Sequence, residues 1–99
     1  MKIYIAGKIA GDPYYRSKFV RARELLEKQG HIVLSPAVLP GGMSMADYMR
    51  ICFAMIDTAD AVCFLPDSTE SKGAMLEYSY CSYIEKPSFM MKELIPSYE

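Results

Sequence analysis

Two rhythms of apolar residues alternate along the chain. Short unbroken runs recur at Ile3-Tyr4-Ile5-Ala6, Ile32-Val33-Leu34 and Ala61-Val62-Cys63-Phe64-Leu65. Each is stopped by glycine, serine or proline, which predicts strands covered on both faces. The stretches between them have helical spacing. From Tyr14 to Gln29, Phe19, Ala22, Leu25 and Leu26 form one stripe, and Arg16, Lys18, Arg21, Arg23, Glu24, Glu27 and Lys28 fill the rest. That is an amphipathic helix, with Asp12 as cap, Pro13 as first residue and Gly30 as its stop.

Met45 to about Thr58 predicts a second helix of a different kind. Met45, Met49, Ile51, Cys52, Phe53, Met55 and Ile56 spread around most of its circumference. One small domain hardly covers so wide an apolar surface, so this helix is expected to join subunits into a homodimer or a higher homo-oligomer. Asp60 opens the third strand, which ends at the turn Pro66-Asp67-Ser68. Ser68, Thr69 and Ser71 offer caps for a third helix running to about Ile84. Lys86 to Met91 predicts a short fourth strand, and Leu94 to Glu99 has no assigned element.

Strands alternating with helices predict a three-layer αβα sandwich around a flavodoxin-like or Rossmann-like parallel sheet of four to five strands. The loops Gly7–Gly11, Pro36–Gly42 and Pro66–Ser71 then share the carboxyl edge of the sheet, where ligands bind in such folds. Gly7-Lys8-Ile9-Ala10-Gly11 fits a ligand-approaching loop and a plain tight turn equally; it is neither G-x-G-x-x-G nor a P-loop.

The candidate chemistry lies on the third helix. From Gly73 to Ile84 the one charged residue is Glu77. A lone carboxylate on an apolar helix needs a partner, a raised pKa or access to a cleft. Gly73, four residues earlier on the same face, leaves Glu77 uncovered on that side. The adjoining helix N-terminus is a natural anion site. His31, the single histidine, opens the second strand with nothing nearby to orient it, and reads as surface or structural.

Composition narrows the classes. A chain of 99 residues that is 52% hydrophobic and 23% charged suits one domain over residues 1–99 and excludes disorder. A net charge of −1 argues against a nucleic-acid polymer as partner. Cys52, Cys63 and Cys81 fall in apolar segments without C-x-x-C spacing, which suits reduced core thiols in the cytoplasm rather than a metal site. The opening MKIYIAG is too short for a signal peptide, no run reaches membrane-spanning length, and no cofactor is expected.

Four fragments together resemble a known family. They are Tyr4-Ile5-Ala6-Gly7, then Gly30-His31-x-Val33-x-x-Pro36, then Ala59-Asp60-Ala61-Val62-x-x-Leu65-Pro66, and last Ser71-Lys72-Gly73-Ala74-Met75-Leu76-Glu77. Their order and spacing resemble the nucleoside 2-deoxyribosyltransferase-like superfamily, and within it a branch of small bacterial and phage domains similar to 2′-deoxynucleoside 5′-phosphate N-hydrolases. The resemblance implies cleavage or transfer at the N-glycosidic bond of a small-molecule deoxynucleoside or its 5′-monophosphate. It implies Glu77 as nucleophile and Tyr4 as the residue orienting it. Gly7, Ile9 and Gly11 would lie in the loop approaching the sugar, with Ser71 and Gly73 beside the substrate. Serine at position 71, where free-nucleoside transferases tend to carry aspartate, points to a 5′-phosphate; plain helix capping explains it about as well.

One position departs from the family pattern. Active members place an aspartate about eight residues before the Ala-Asp pair, and counting back from Asp60 reaches Cys52. A thiol is a poor substitute for a carboxylic acid, and neither Asp47, Asp57 nor Asp67 stands in that place. The readings are therefore an N-glycosidase or transferase, a non-catalytic nucleotide-binding domain of the same fold, and a plain structural oligomer.

Overall fold

The computed structural model describes residues 1–98, and Glu99, the end of the unassigned tail, lies outside the described residues. Four strands, β1 (Lys2–Ala6), β2 (Ile32–Leu34), β3 (Ala61–Phe64) and β4 (Ser88–Met90), pair in parallel in the order β2-β1-β3-β4. The helices are α1 (Tyr15–Lys28), α2 (Met45–Thr58), α3 (Lys72–Tyr83) and the short α4 (Met91–Leu94), with 3-10 turns at Pro36–Val38 and Pro66–Glu70. This is the expected αβα arrangement, with four strands.

Strand alternation sorts the core into two layers. Ile3, Ile5, Cys63 and Leu65 face Phe19, Ala22 and Leu26 of α1. Tyr4, Ala6, Val62 and Phe64 face the other way, onto Cys52 and Ile56 of α2 and Cys81 of α3. The helices carrying Cys52 and Glu77 thus lie on the face to which Tyr4 points.

Details differ from the sequence expectations for local physical reasons. Asp12 does not cap α1. One of its oxygens receives the Lys18 ammonium at 2.7 Å and the other accepts from the Tyr14 N–H at 2.9 Å, so the helix begins at Tyr15 and Pro13 stays outside it. Gly30 ends the helix with φ +91°, a conformation open to glycine at no steric cost. Asp60 precedes β3, and its carboxylate accepts from the Lys2 N–H at 2.7 Å, tying two strand starts together. His31 lies at the amino end of β2, its Nδ1 3.2 Å from the N-terminal amine.

The breadth of the apolar surface on α2 has partners within the chain. Phe53 stacks on Tyr80 of α3 with ring centroids 4.4 Å apart, and the Tyr80 hydroxyl donates to Asp57 at 2.7 Å. Cys52 and Ile56 are buried against the sheet, and Met55 packs on the same cluster. Cys52 and Ile56 share one face of the helix, which is its buried face, while Met49, Ile51, Phe53 and Met55 are half-buried. Of its large hydrophobic residues, Met45 alone is strongly exposed.

The tail is also part of the core. Met91, Ile95 and Tyr98 are buried in the α1-side cluster. Ile95→Ala is expected to cost about 2–4 kcal/mol, read as a lowered urea midpoint at unchanged slope, because it opens a cavity at a site 5% exposed. All three cysteines are free and buried. No helix among the described residues is long and apolar enough to cross a membrane.

Candidate active site

Glu77 is 5% exposed, one of the few polar residues the fold buries. The Tyr4 hydroxyl, fully enclosed on β1, donates to its Oε2 at 2.6 Å. Strand β1 lies second in the sheet beneath α2 and α3, so a side chain from its middle reaches the carboxylate from below. Cys52 of α2 is the third member, buried in the same cluster as Tyr4 and near enough to influence both the carboxyl and the phenol. Residues 4, 52 and 77 thus form one buried cluster.

Burial governs the electrostatics. It pushes the Glu77 carboxyl up to about 7, against the hydrogen bonds from Tyr4 and Cys52 that pull it down. The Tyr4 phenol is raised, first by burial and then by the neighbouring Glu77 charge, so it stays protonated and keeps donating. Burial also pushes the Cys52 thiol up to about 11. A carboxyl near 7 is half ionised at neutral pH and more nucleophilic than an ordinary carboxylate. A thiol near 11 is a weak proton donor at that pH.

Ser71 and Gly73 stand at the N-terminus of α3. The Ser71 hydroxyl accepts from the Ala74 N–H at 3.2 Å, which is a capping bond. A Cβ on Gly73 would meet only Ser71 Oγ at 3.9 Å and Met49 Sδ at 4.0 Å. The helix surface one turn before Glu77 is therefore bare, with Ser71 and Met49 on its rim.

The glycine loop behaves less uniformly. Gly7 is buried, and a Cβ there would lie 2.8 Å from Leu65 Cδ1, so the missing side chain admits Leu65 where β1 and β3 end together. Ile9 packs against the α1-side core, across the sheet from Glu77. Gly11 is exposed in a turn with φ +81°. The structure brings Tyr4, Glu77, Gly73 and Ser71 into one region; Ile9 points its side chain elsewhere.

A clamp holding this loop had no counterpart in the sequence reading. The Lys18 ammonium donates to Lys8 O at 2.7 Å and pairs with both Asp12 and Asp67, while the Lys8 N–H donates to Asp67 Oδ1 at 3.1 Å. All three ammonium donors are used, binding the Gly7–Asp12 loop to the turn Pro66–Glu70. Lys18 reads as an ordinary residue of a solvated helix face, and its partner Asp67 is 49 positions away. The Tyr48 hydroxyl likewise pins the Pro36–Gly42 loop, donating to Pro40 O at 2.6 Å.

No second carboxylate joins the cluster through these contacts. Asp47 pairs with Arg50, Asp57 accepts from Tyr80, and Asp67 belongs to the Lys18 clamp. No group of three metal-ligating side chains occurs among the described residues. Two surface clefts, of about 160 Å³ beside Arg16 and Val38 and about 290 Å³ beside Arg21 and Tyr98, open on the α1 side of the sheet and do not reach Glu77.

The family model for Domain of unknown function (DUF4406) matches residues 1–89. No curated protein matches the chain. Among solved structures, the fold is similar to that of a 2-deoxyribosyltransferase from the psychrotolerant bacterium Bacillus psychrosaccharolyticus. The TM-score is 0.73 at 20% identity, covering 91% of this chain and 71% of that one. It is also similar to a 2-deoxyribosyltransferase from Leishmania mexicana, with a TM-score of 0.72 at 19% identity, covering 90% of this chain and 62% of that one. The chain thus spans less than two thirds of the second enzyme. At these identities the likeness is one of fold.

Proposed function

We propose, for a chain that belongs to the family described as Domain of unknown function (DUF4406), a reaction at the N-glycosidic bond of a 2′-deoxynucleoside or its 5′-monophosphate. The observation that carries this reading is the buried Glu77 carboxyl held at 2.6 Å by Tyr4, on a helix left bare at Gly73. The fold shared with two 2-deoxyribosyltransferases supports it.

In this reading an ionised Glu77 oxygen attacks the anomeric carbon of the sugar. The C1′–N bond breaks, its electron pair leaves with the base, and the base takes up a proton. Water or a second base then attacks C1′ and frees the carboxylate, so configuration is retained overall. Tyr4 holds the attacking carboxylate in one orientation. Gly73 leaves room for the sugar, and the Gly7–Gly11 loop closes the same edge of the sheet. Ser71 and the first N–H groups of α3 receive a 5′-phosphate, which a helix N-terminus favours. The substrate is a small molecule, and the protein works as a cytoplasmic homo-oligomer without cofactor.

A second reading has its own observation. Cys52 stands at the position where the resembled family carries an aspartate, and its thiol is pushed up to about 11. That favours a domain that binds a nucleotide and does not turn it over. Incubation with a panel of 2′-deoxynucleosides and their 5′-monophosphates, followed by chromatography for free base, separates the two. Base release establishes the enzyme; saturable binding without release establishes the binding domain.

Tyr4→Phe removes the stronger of the two hydrogen bonds that lower the Glu77 pKa. The acid limb of the kcat/KM profile is expected to move to higher pH. At neutral pH the rate should fall roughly 10–100-fold, since fewer molecules carry the ionised nucleophile.

A further inference from the structure

At Ala6 and Leu65 the sheet ends, and the two segments that leave it diverge. One runs through Lys8 to Asp12; the other runs through Pro66–Glu70 into Ser71 and α3. A backbone bond from Leu65 N–H to Ala6 O at 2.8 Å joins them at the sheet edge. Beyond it they are held by the groups around Lys18. Lys8 is fixed at both ends of its backbone, its N–H donating to Asp67 at 3.1 Å and its C=O accepting from the Lys18 ammonium at 2.7 Å. A further pair, Lys8 with Glu70 at 3.6 Å, is longer and more exposed. The second segment passes its position on to the candidate site. The Ser71 N–H closes the turn on Ser68 O at 3.1 Å, and Ser68 is buried, so Ser71 and the first turn of α3 follow the turn as one piece.

Lys18 comes from α1, which packs on the face of the sheet opposite Tyr4, and its hydrogen bonds go to Lys8, Asp12 and Asp67. Such a cluster contributes little to stability. Its side chains are only 19%, 21% and 24% exposed, and their lost hydration offsets much of their attraction. Burial alone would lower the Lys18 ammonium, yet the pairs with Asp12 and Asp67 outweigh it and raise it, so the cluster stays charged. What three fixed donors supply is geometry. We infer that Lys18 is a positioning residue: it locks the Gly7–Asp12 loop to the Pro66–Glu70 turn and so sets the spacing of the two segments that receive a nucleotide. The inference rests on the nucleotide-binding reading of this edge, in its enzymatic or its non-catalytic form. The Tyr4–Glu77 pair is held within the core, so loss of Lys18 falls on binding and not on that pair.

Hydrogen exchange and calorimetry on the full chain test this. In Lys18→Met the Lys8 and Asp12 amides are expected to exchange about tenfold faster, while those of Ile5 and Cys63 in the strands keep their rates. The dissociation constant for the tightest-binding 2′-deoxynucleoside 5′-monophosphate should rise about tenfold, with the melting temperature lowered by less than about 5 °C. Asp67→Ala removes both the Lys18 pair and the Lys8 N–H bond and should weaken binding at least as much. Adding Lys18→Met to it should change little further, since both act through one link. Arg21→Met removes a charge from the same helix, where Arg21 lies over Tyr98, and should bind as the wild type does. Faster exchange with unchanged affinity overturns the positioning role. Unchanged exchange rates, losses that add in the double variant, or an equal loss in Arg21→Met overturn it too. A wild type that binds no nucleotide removes the functional reading as well, whereas a wild type and a Lys18→Met variant that bind equally remove this inference alone.

Discussion

Glu77→Gln is expected to reduce base release by about 10³-fold or more while the protein stays folded and still binds nucleotide. The amide has nearly the shape of the carboxyl and its oxygen still accepts from the Tyr4 hydroxyl, so the cluster at 2.6 Å keeps its packing. What it loses is the anionic oxygen that forms the glycosyl bond. The measurement is single-turnover base release by chromatography, with binding followed separately by calorimetry. A variant that releases base at the wild-type rate removes Glu77 from the mechanism. An intact-mass adduct of one deoxyribosyl group on the wild type, absent from the variant, would identify the covalent intermediate.

The same substitution should remove the pH dependence of stability that this site imposes. Burial raises the Glu77 carboxyl to about 7 in the folded chain, above the ordinary carboxyl value of 4.5. The folded state therefore holds a proton that the unfolded state has already released throughout that interval. Unfolding releases this proton, so stability falls as pH rises from about 4.5 to about 7 and is level above it. The full difference corresponds to as much as about 3 kcal/mol, the cost of an ionised carboxylate at a site 5% exposed. Glutamine cannot ionise, so Glu77→Gln should match the wild type near pH 4.5 and exceed it at pH 8. Urea denaturation of both proteins across this range checks the sign. A wild type that gained stability on Glu77→Gln equally at all pH values would mean the gain is packing rather than charge.

The two predictions rest on one physical tension. Burial that raises the carboxyl to about 7 destabilises the anion the chemistry needs, and the Tyr4 hydrogen bond partly offsets it. Sites that trade stability for a reactive group are where such tension is expected.

Local pattern was enough for the strands, the helices and their alternation. The short unbroken apolar runs at Ile3–Ala6 and Ala61–Leu65 predict strands buried on both faces, and strand–helix alternation predicts parallel pairing with right-handed crossovers, while the order β2-β1-β3-β4 came from the structure. Gly30 and the stripe Phe19–Leu26 were legible for the same reason: each depends on residues within a turn or two. Glu77 stood out as a lone charge on an apolar helix before any contact was known.

Tertiary structure alone decided what those residues touch. Tyr4 and Glu77 are 73 positions apart and meet because the sheet places β1 under α3. Along the wide apolar surface of α2, only the structure tells which positions are used inside the chain: Phe53 stacks on Tyr80, and the sheet takes Cys52 and Ile56. The apolar face left to solvent is on α3, where the low contrast between its two sides hides from sequence which one faces outward. Lys18 joins Asp12 to Asp67, and Ile95 and Tyr98 seal the α1 layer, through contacts between segments far apart in sequence. A helix or a turn is settled by neighbours along the chain, whereas a buried hydrogen bond, a clamp or a sealed core depends on which distant segments the sheet brings together.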